Sequence, residues 1–195
     1  MTNSLIMSLT QKLAHNTMAQ MIGKFVSTFL GLIAIGMLTR YLGQEQFGWY
    51  ITAITFLQFI GILIDFGLIP VTAQMMSEPD FDKTKLFKNI LAYRFFTALI
   101  FLGLAPLVLF FFPYPTEVKV AISFLTISFL AIAMNQVLVG LYQVKMKMHV
   151  QAIAEVVGRI VLVAGLYLFI RQGAEFLPLM GVVTVGSVAY MITLL

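Results

Sequence analysis

Residues 16–39 read NTMAQMIGKFVSTFLGLIAIGMLT, residues 40–46 read RYLGQEQ, and residues 47–69 read FGWYITAITFLQFIGILIDFGLI. The two apolar runs, 17–39 and 47–69, are each about 23 residues long, about 34 Å as an α-helix, which crosses the hydrocarbon core of a bilayer with some tilt. The heptapeptide between them is polar. The stretch predicts two membrane-spanning helices joined by a short turn. The first helix is not uniformly apolar. Asn16, Gln20, Lys24, Ser27/Thr28 and Gly31 recur about once per turn and so share a face. A lysine at the centre of a membrane helix costs roughly 2.5–3.5 kcal/mol on insertion scales, and less if its amine snorkels. A water-filled cavity beside Lys24 would offset that cost.

The remainder of the chain has the same character. Of 195 residues, 61% are hydrophobic and 10% charged, and the mean hydropathy is +0.99; soluble domains carry about 25% charged residues. The apolar runs are continuous and do not alternate, which favours helices over a barrel. The fold class is an all-α integral membrane protein. The net charge of +4 belongs to loop lysines and arginines, and no basic run is dense enough for nucleic acid. Cysteine is absent, which excludes disulfides, thiolate metal sites and thiol catalysis. The first residues lack the basic-apolar-small order of a cleavable signal peptide.

Residues 1–15 read as an amphipathic interfacial segment, with Leu5, Leu9 and Leu13 on one face. A six-helix lobe is expected over 16–195, with spans at about 17–39, 47–69, 89–112, 117–142, 150–170 and 176–195. Asp80 or Asp82 is the candidate N-cap of the third helix and Thr116 that of the fourth. Pro113 and Pro115 break the chain between them. Short connections make sequential helices antiparallel neighbours. With the N-terminus in the cytoplasm, Lys12, Lys83, Lys85, Lys88, Lys145 and Lys147 lie inside and Arg40, Lys119 and Arg171 outside. That distribution obeys the positive-inside rule and puts both termini in the cytoplasm. Trp49, Tyr41 and Tyr50 read as an aromatic anchor at the outer interface, and the intrahelical glycines as close-packing or bending sites.

The pattern Leu38-Thr39-Arg40-Tyr41-Leu42-Gly43-x-Glu45-x-Phe47-Gly48-x-Tyr50, followed by Asp65-Phe66-Gly67-Leu68, resembles the start of bacterial polysaccharide flippases. These are the oligosaccharide-lipid exporters of the multidrug/oligosaccharidyl-lipid/polysaccharide exporter superfamily. Gly140-Leu141-Tyr142-Gln143, Met146 and Ala152-x-x-Glu155-x-x-x-Arg159 resemble their fourth-to-fifth helix segment. The resemblance implies a bacterial inner-membrane protein, with an oligosaccharide on a polyprenyl-pyrophosphate carrier as cargo and no cofactor. It also implies a twelve- to fourteen-helix fold in two lobes, of which this chain spans about the first. A missing C-terminal lobe, a second copy, membrane lipid and polysaccharide assembly machinery are the partners it suggests.

No metalloprotease, nucleophile-elbow or phosphate-loop motif is present, so neither catalytic nor metal-binding residues are assigned. The intramembrane charges are the candidates. Lys24 and Arg159 suit an anionic headgroup at a place of low dielectric, arginine by its bidentate fork. Gln20, Asp65, Glu155 and Asn135 would support them in a polar cavity. Glu155 is spaced to pair with Arg159 on its own helix. Asp65 is a cation or proton site, or a partner for Lys24 or Arg94. Arg94 reads as an interfacial anchor, and Asn135 and Gln136 as interhelical hydrogen-bond glue. Two other functions fit the composition. One is cation or drug antiport, which needs a cavity carboxylate such as Asp65 or Glu155. The other is a non-transporting membrane scaffold.

Overall fold

The computed structural model describes residues 2–65, 74–75, 82–145 and 147–195; the side chains of residues 2–13, 15, 83, 84 and 144 lie outside the description. Among the described residues six long helices stand out. The run Thr2–Asp65 is divided at Gly43 into α1 (residues 2–42) and α2 (residues 44–65). Then come α3 (Lys83–Val108), a 3₁₀ turn (Leu109–Phe111), α4 (Thr116–Val144), α5 (Met148–Arg171) and α6 (Phe176–Leu194). Among the described residues five helical runs are long and apolar enough to cross a membrane; the first, Asn16–Asp65, has 50 residues. As one rod those 50 residues would reach about 75 Å, more than twice the hydrocarbon thickness. The break at Gly43 turns them into two segments.

That break is tighter than the seven-residue turn the sequence predicts. Gly43 alone leaves the helical region, at φ 67° and ψ −174°, a conformation that essentially only glycine occupies without strain. Other boundaries also move. The backbone is helical from Thr2, with no interruption between residues 15 and 16. The third helix starts at Lys83, six residues ahead of the expected membrane span and directly after the candidate cap Asp82, whose carboxylate accepts the Lys85 N–H at 3.2 Å. Pro115, extended at φ −54° and ψ 151°, occupies the N-cap of α4, so Thr116 is already helical and caps nothing. Helix α5 stops at Gly173, φ 70°, where the Gly173 and Ala174 N–H groups bond back to Ile170 and Phe169 carbonyls in a Schellman closure. Asp80, Pro70 and the polar segment 77–81 lie outside the described residues.

Contacts fix the bundle as up-and-down. Helices α1 and α5 run parallel: Gly23 lies on Ala152, Ser27 on Glu155 and Gly31 on Arg159. Helices α4 and α6 are likewise parallel, bonded from Thr184 to Phe124 O, Ser128 to Ser187, and Tyr142 to Leu194 O. Helix α2 runs back from Trp49, edge-on to Phe176, to Asp65, which meets Arg94 of α3. Gly43, Pro113 and Gly173 therefore mark one end of the bundle, and Asp82, Lys145, Lys147 and Leu194 the other.

Small residues set the helix separations. A Cβ at Gly23 would lie 2.5 Å from Ala152 Cβ. One at Gly158 would lie 2.7 Å from Tyr190 Cβ and 2.9 Å from Gly186 O, and one at Gly165 2.7 Å from Val182 Cγ1. Close backbone approach of this kind is how helices associate in lipid, where burial against a neighbour gains little hydrophobic energy. The face of α1 opposite its buried Gly23, Ser27, Gly31, Ala34 and Leu38 presents Met18, Met21, Phe25, Phe29 and Leu32 outward. Such a continuous apolar exterior is a surface for lipid or for another protein.

Candidate functional site

Two cavities lie side by side between α2 and α4. The first, about 420 Å³, is walled by Tyr50, Gln58, Ser128, Glu155, Arg159, Ser187 and Tyr190 together with apolar residues of α2, α4, α5 and α6. The second, about 630 Å³, is walled by Gly61, Ile62, Ile64, Asp65, Arg94, Ala133 and Gln136. Gln58, Phe129 and Ile132 line both and form the partition between them.

The first cavity holds the chain's unbalanced intramembrane charge. Glu155, on α5, is held from α1: Lys24 Nζ lies 3.2 Å from its Oε1, and the Ser27 hydroxyl donates to the same oxygen at 3.0 Å. Two features of α1 permit this. The one-turn register aligns Gly23, Ser27 and Gly31 toward α5, and the absent side chain at Gly23 lets the helices close. Arg159 sits one turn further along α5. The expected Glu155–Arg159 pair does not form; Lys24 takes the carboxylate, because the neighbouring helix brings an ammonium onto it while Arg159 projects toward Gly31. A Cβ at Gly31 would be 3.7 Å from the Arg159 Cζ and Nη1, so the guanidinium packs over bare backbone there. Among the described residues Arg159 has no ion pair. Lys24, 72% exposed and outside the cavity lining, balances Glu155, so Arg159 is the uncompensated positive charge on the wall.

Charge in the second cavity is internally neutralised. Arg94 donates to Asp65 Oδ1 at 2.9 Å, to Ile64 O at 3.1 Å and to Gln136 Oε1. Its side chain is 3% exposed, against 33% for Asp65. Arg94 is thus no interfacial anchor but a buried clamp joining α2, α3 and α4, and Asp65 is its counter-ion. Burial is tolerable because the carboxylate, a carbonyl and an amide surround the guanidinium, although its Nε has no partner among the described residues.

The other sequence candidates are dispersed. Gln20 is half-buried on α1, one turn before Lys24, and lines neither of these cavities. Asn135 is 3% exposed, and neither of its amide atoms has a partner among the described residues. It lies midway between Ser128 and Tyr142 on the α4 face that meets α6. Gln136, one residue on, does act as interhelical glue, through Arg94. Tyr50 lines the first cavity, whereas Tyr41 and Trp49 stay near the Gly43 end, with Tyr41 bonded to Ala174 O at 2.9 Å and Trp49 against Phe176. Sequence reading left Ser187 and Tyr190 unassigned. A polar residue at every turn of α6 (Thr184, Ser187, Tyr190) was their only signal.

A family model described as polysaccharide biosynthesis protein matches residues 13–195. The chain belongs to that family. It is a multi-pass membrane protein of polysaccharide biosynthesis by family and by its five membrane-length helical runs. Comparisons with curated proteins and with solved structures gave no match.

Proposed function

We propose that this family member is a transporter lobe that carries a lipid-linked oligosaccharide across the bacterial inner membrane. The cargo is a glycan on a polyprenyl pyrophosphate. The observation that carries the proposal is the uncompensated Arg159 on the wall of the first cavity, with every other described intramembrane charge paired. A diphosphate entering low dielectric needs a counter-charge, and a guanidinium offers two parallel donors to phosphate oxygens. Lys24, on α1 outside the cavity lining, is a second cation, tethered to Glu155 and releasable to an incoming anion. Hydroxyls from Ser128, Ser187, Tyr50 and Tyr190 line the same cavity and suit a sugar. The bundle would rock against a partner lobe, or a second copy, to expose the cavity alternately to each side. The end bearing Lys85, Lys88, Lys145 and Lys147 faces the cytoplasm on this reading.

Cation antiport is disfavoured by the same geometry, since both intramembrane carboxylates are already engaged, Asp65 by Arg94 and Glu155 by Lys24. Surface-glycan export by the intact protein in its own host tests the proposal. A hydrogen-bonded charge contributes roughly 1.5–3 kcal/mol, so Arg159→Gln should reduce export about 10- to 100-fold. Arg159→Lys should retain part of it. Undiminished export by a Lys24→Gln/Arg159→Gln double variant would sink the cationic-cavity mechanism. Efflux of a cationic dye that is lost in Asp65→Asn would instead support antiport.

A further inference from the structure

The two cavities differ in chemistry in a way that matches the two parts of an amphiphile. The first carries the surplus cation and the hydroxyls. The second is half as large again, and beyond its Asp65–Arg94 end its walls are Gly61, Ile62, Phe129, Ile132 and Ala133. At that end Asp65 and Arg94 neutralise each other, so the second cavity offers a phosphate no net counter-charge. An anion is therefore drawn to the Arg159 side of the Gln58–Phe129–Ile132 partition and gains no such attraction on the other. The second cavity also opens at the bundle surface beside Ile62, which is 68% exposed and does not line the first cavity.

The geometry points to the second cavity as the subsite for the first apolar units of the cargo's lipid chain, with Gln58, Phe129 and Ile132 marking the head-to-tail junction. The inference rests on Arg159 holding the diphosphate. It adds a ligand class for a site that the charge argument leaves unassigned, and it fixes the polarity of the bound amphiphile: diphosphate toward α5 and α6, hydrocarbon toward α3. Apolar surface buried in the second cavity supplies affinity that a free anion cannot obtain.

Gly61 makes the idea testable without disturbing the core. It lines the second cavity, and a Cβ built on it meets nothing within 4 Å. Glycine is also the weaker helix former there. Gly61→Phe therefore fills the cavity while leaving the helix contacts in place, and Gly61→Ala serves as the size control. Ile62→Asn, at an exposed wall position, replaces apolar surface by a smaller polar amide. The full chain, purified in one fixed detergent, is titrated with farnesyl pyrophosphate and with inorganic pyrophosphate, and heat or Trp49 fluorescence is followed. Farnesyl pyrophosphate is expected to bind at least about tenfold more tightly than inorganic pyrophosphate, since a few buried methylenes suffice for that factor. Gly61→Phe and Ile62→Asn should remove most of this advantage and leave inorganic pyrophosphate unchanged, with Gly61→Ala close to the parent. Arg159→Gln should weaken both probes. If the Gly61 and Ile62 variants keep the full advantage while Arg159→Gln weakens both probes, the tail subsite is wrong and the anion site stands. If Gly61→Phe weakens inorganic pyrophosphate equally, the cavities are one site and the head-to-tail assignment is overturned. If Arg159→Gln alters neither probe, the anion reading beneath the inference fails.

Discussion

Arg94 and Arg159 show how one residue type serves opposite ends in a single bundle. Arg94 is sealed by Asp65, Ile64 O and Gln136, and it holds three helices together. Arg159 is exposed on a cavity wall with no carboxylate of its own. Removing one partner of a buried pair strands the other, at a cost of about 3–5 kcal/mol, whereas replacing both with apolar residues is near neutral. Asp65→Asn should therefore lower the thermal unfolding midpoint in detergent substantially, and Asp65→Leu/Arg94→Met should recover most of the loss. Equal destabilisation by the single and double variants would mean that the pair is not the clamp described. Sequence spacing singled out Asp65, Glu155, Arg159 and Lys24 as unusual, because a charge in an apolar run stands out by composition. It could not assign partners. Glu155 and Arg159 are one turn apart and pair on paper; the choice of Lys24 depends on how closely α1 approaches α5, which is a tertiary quantity set at Gly23.

At the level of the helices, glycine does two distinct jobs. Gly43 supplies a backbone conformation, and Gly158 and Gly165 supply proximity. Gly43→Ala places a side chain at φ 67° and ψ −174°, which costs of the order of 1–3 kcal/mol, and should loosen the α1–α2 turn. Gly158→Ala drives a methyl into Tyr190 Cβ and the Gly186 carbonyl and should destabilise by about 1–3 kcal/mol. Gly36→Ala, with nothing within 4 Å of the added Cβ, should be neutral or mildly stabilising. Unfolding midpoints of the three variants in one detergent decide this; a Gly36 variant as damaged as the Gly158 variant would contradict the packing account. The number of helices and their alternation were legible from run length and turn chemistry. The tight turn was not, because Arg40, Tyr41, Leu42, Gln44 and Glu45 all tolerate helix, and only the dihedral angles of Gly43 show that one residue suffices.

Across the whole molecule, charge divides unevenly between the two ends. In the sequence the turns at one end carry Arg40, Lys119 and Arg171 with Glu45, Glu117 and Glu175, while the segments assigned to the other carry Lys83, Lys85, Lys88, Lys145 and Lys147 with Glu78, Asp80 and Asp82. The proposed orientation is open to a direct check, since the chain has no cysteine and a single introduced one is free of background. A Lys147→Cys variant should be labelled by a membrane-impermeant maleimide only after the cytoplasmic face is opened, and a Glu175→Cys variant from the outside of intact cells; the reverse pattern would invert the assignment. The central claim, that the surplus cation at Arg159 receives an anionic lipid-linked cargo, is tested most directly in sealed vesicles carrying the intact protein. Transbilayer movement of a prenyl-pyrophosphate-linked sugar is timed for the parent, Arg159→Lys and Arg159→Gln. The account predicts a partial rate for lysine and a loss of about tenfold or more for glutamine; an Arg159→Gln protein that moves the lipid at the parent's rate would contradict it.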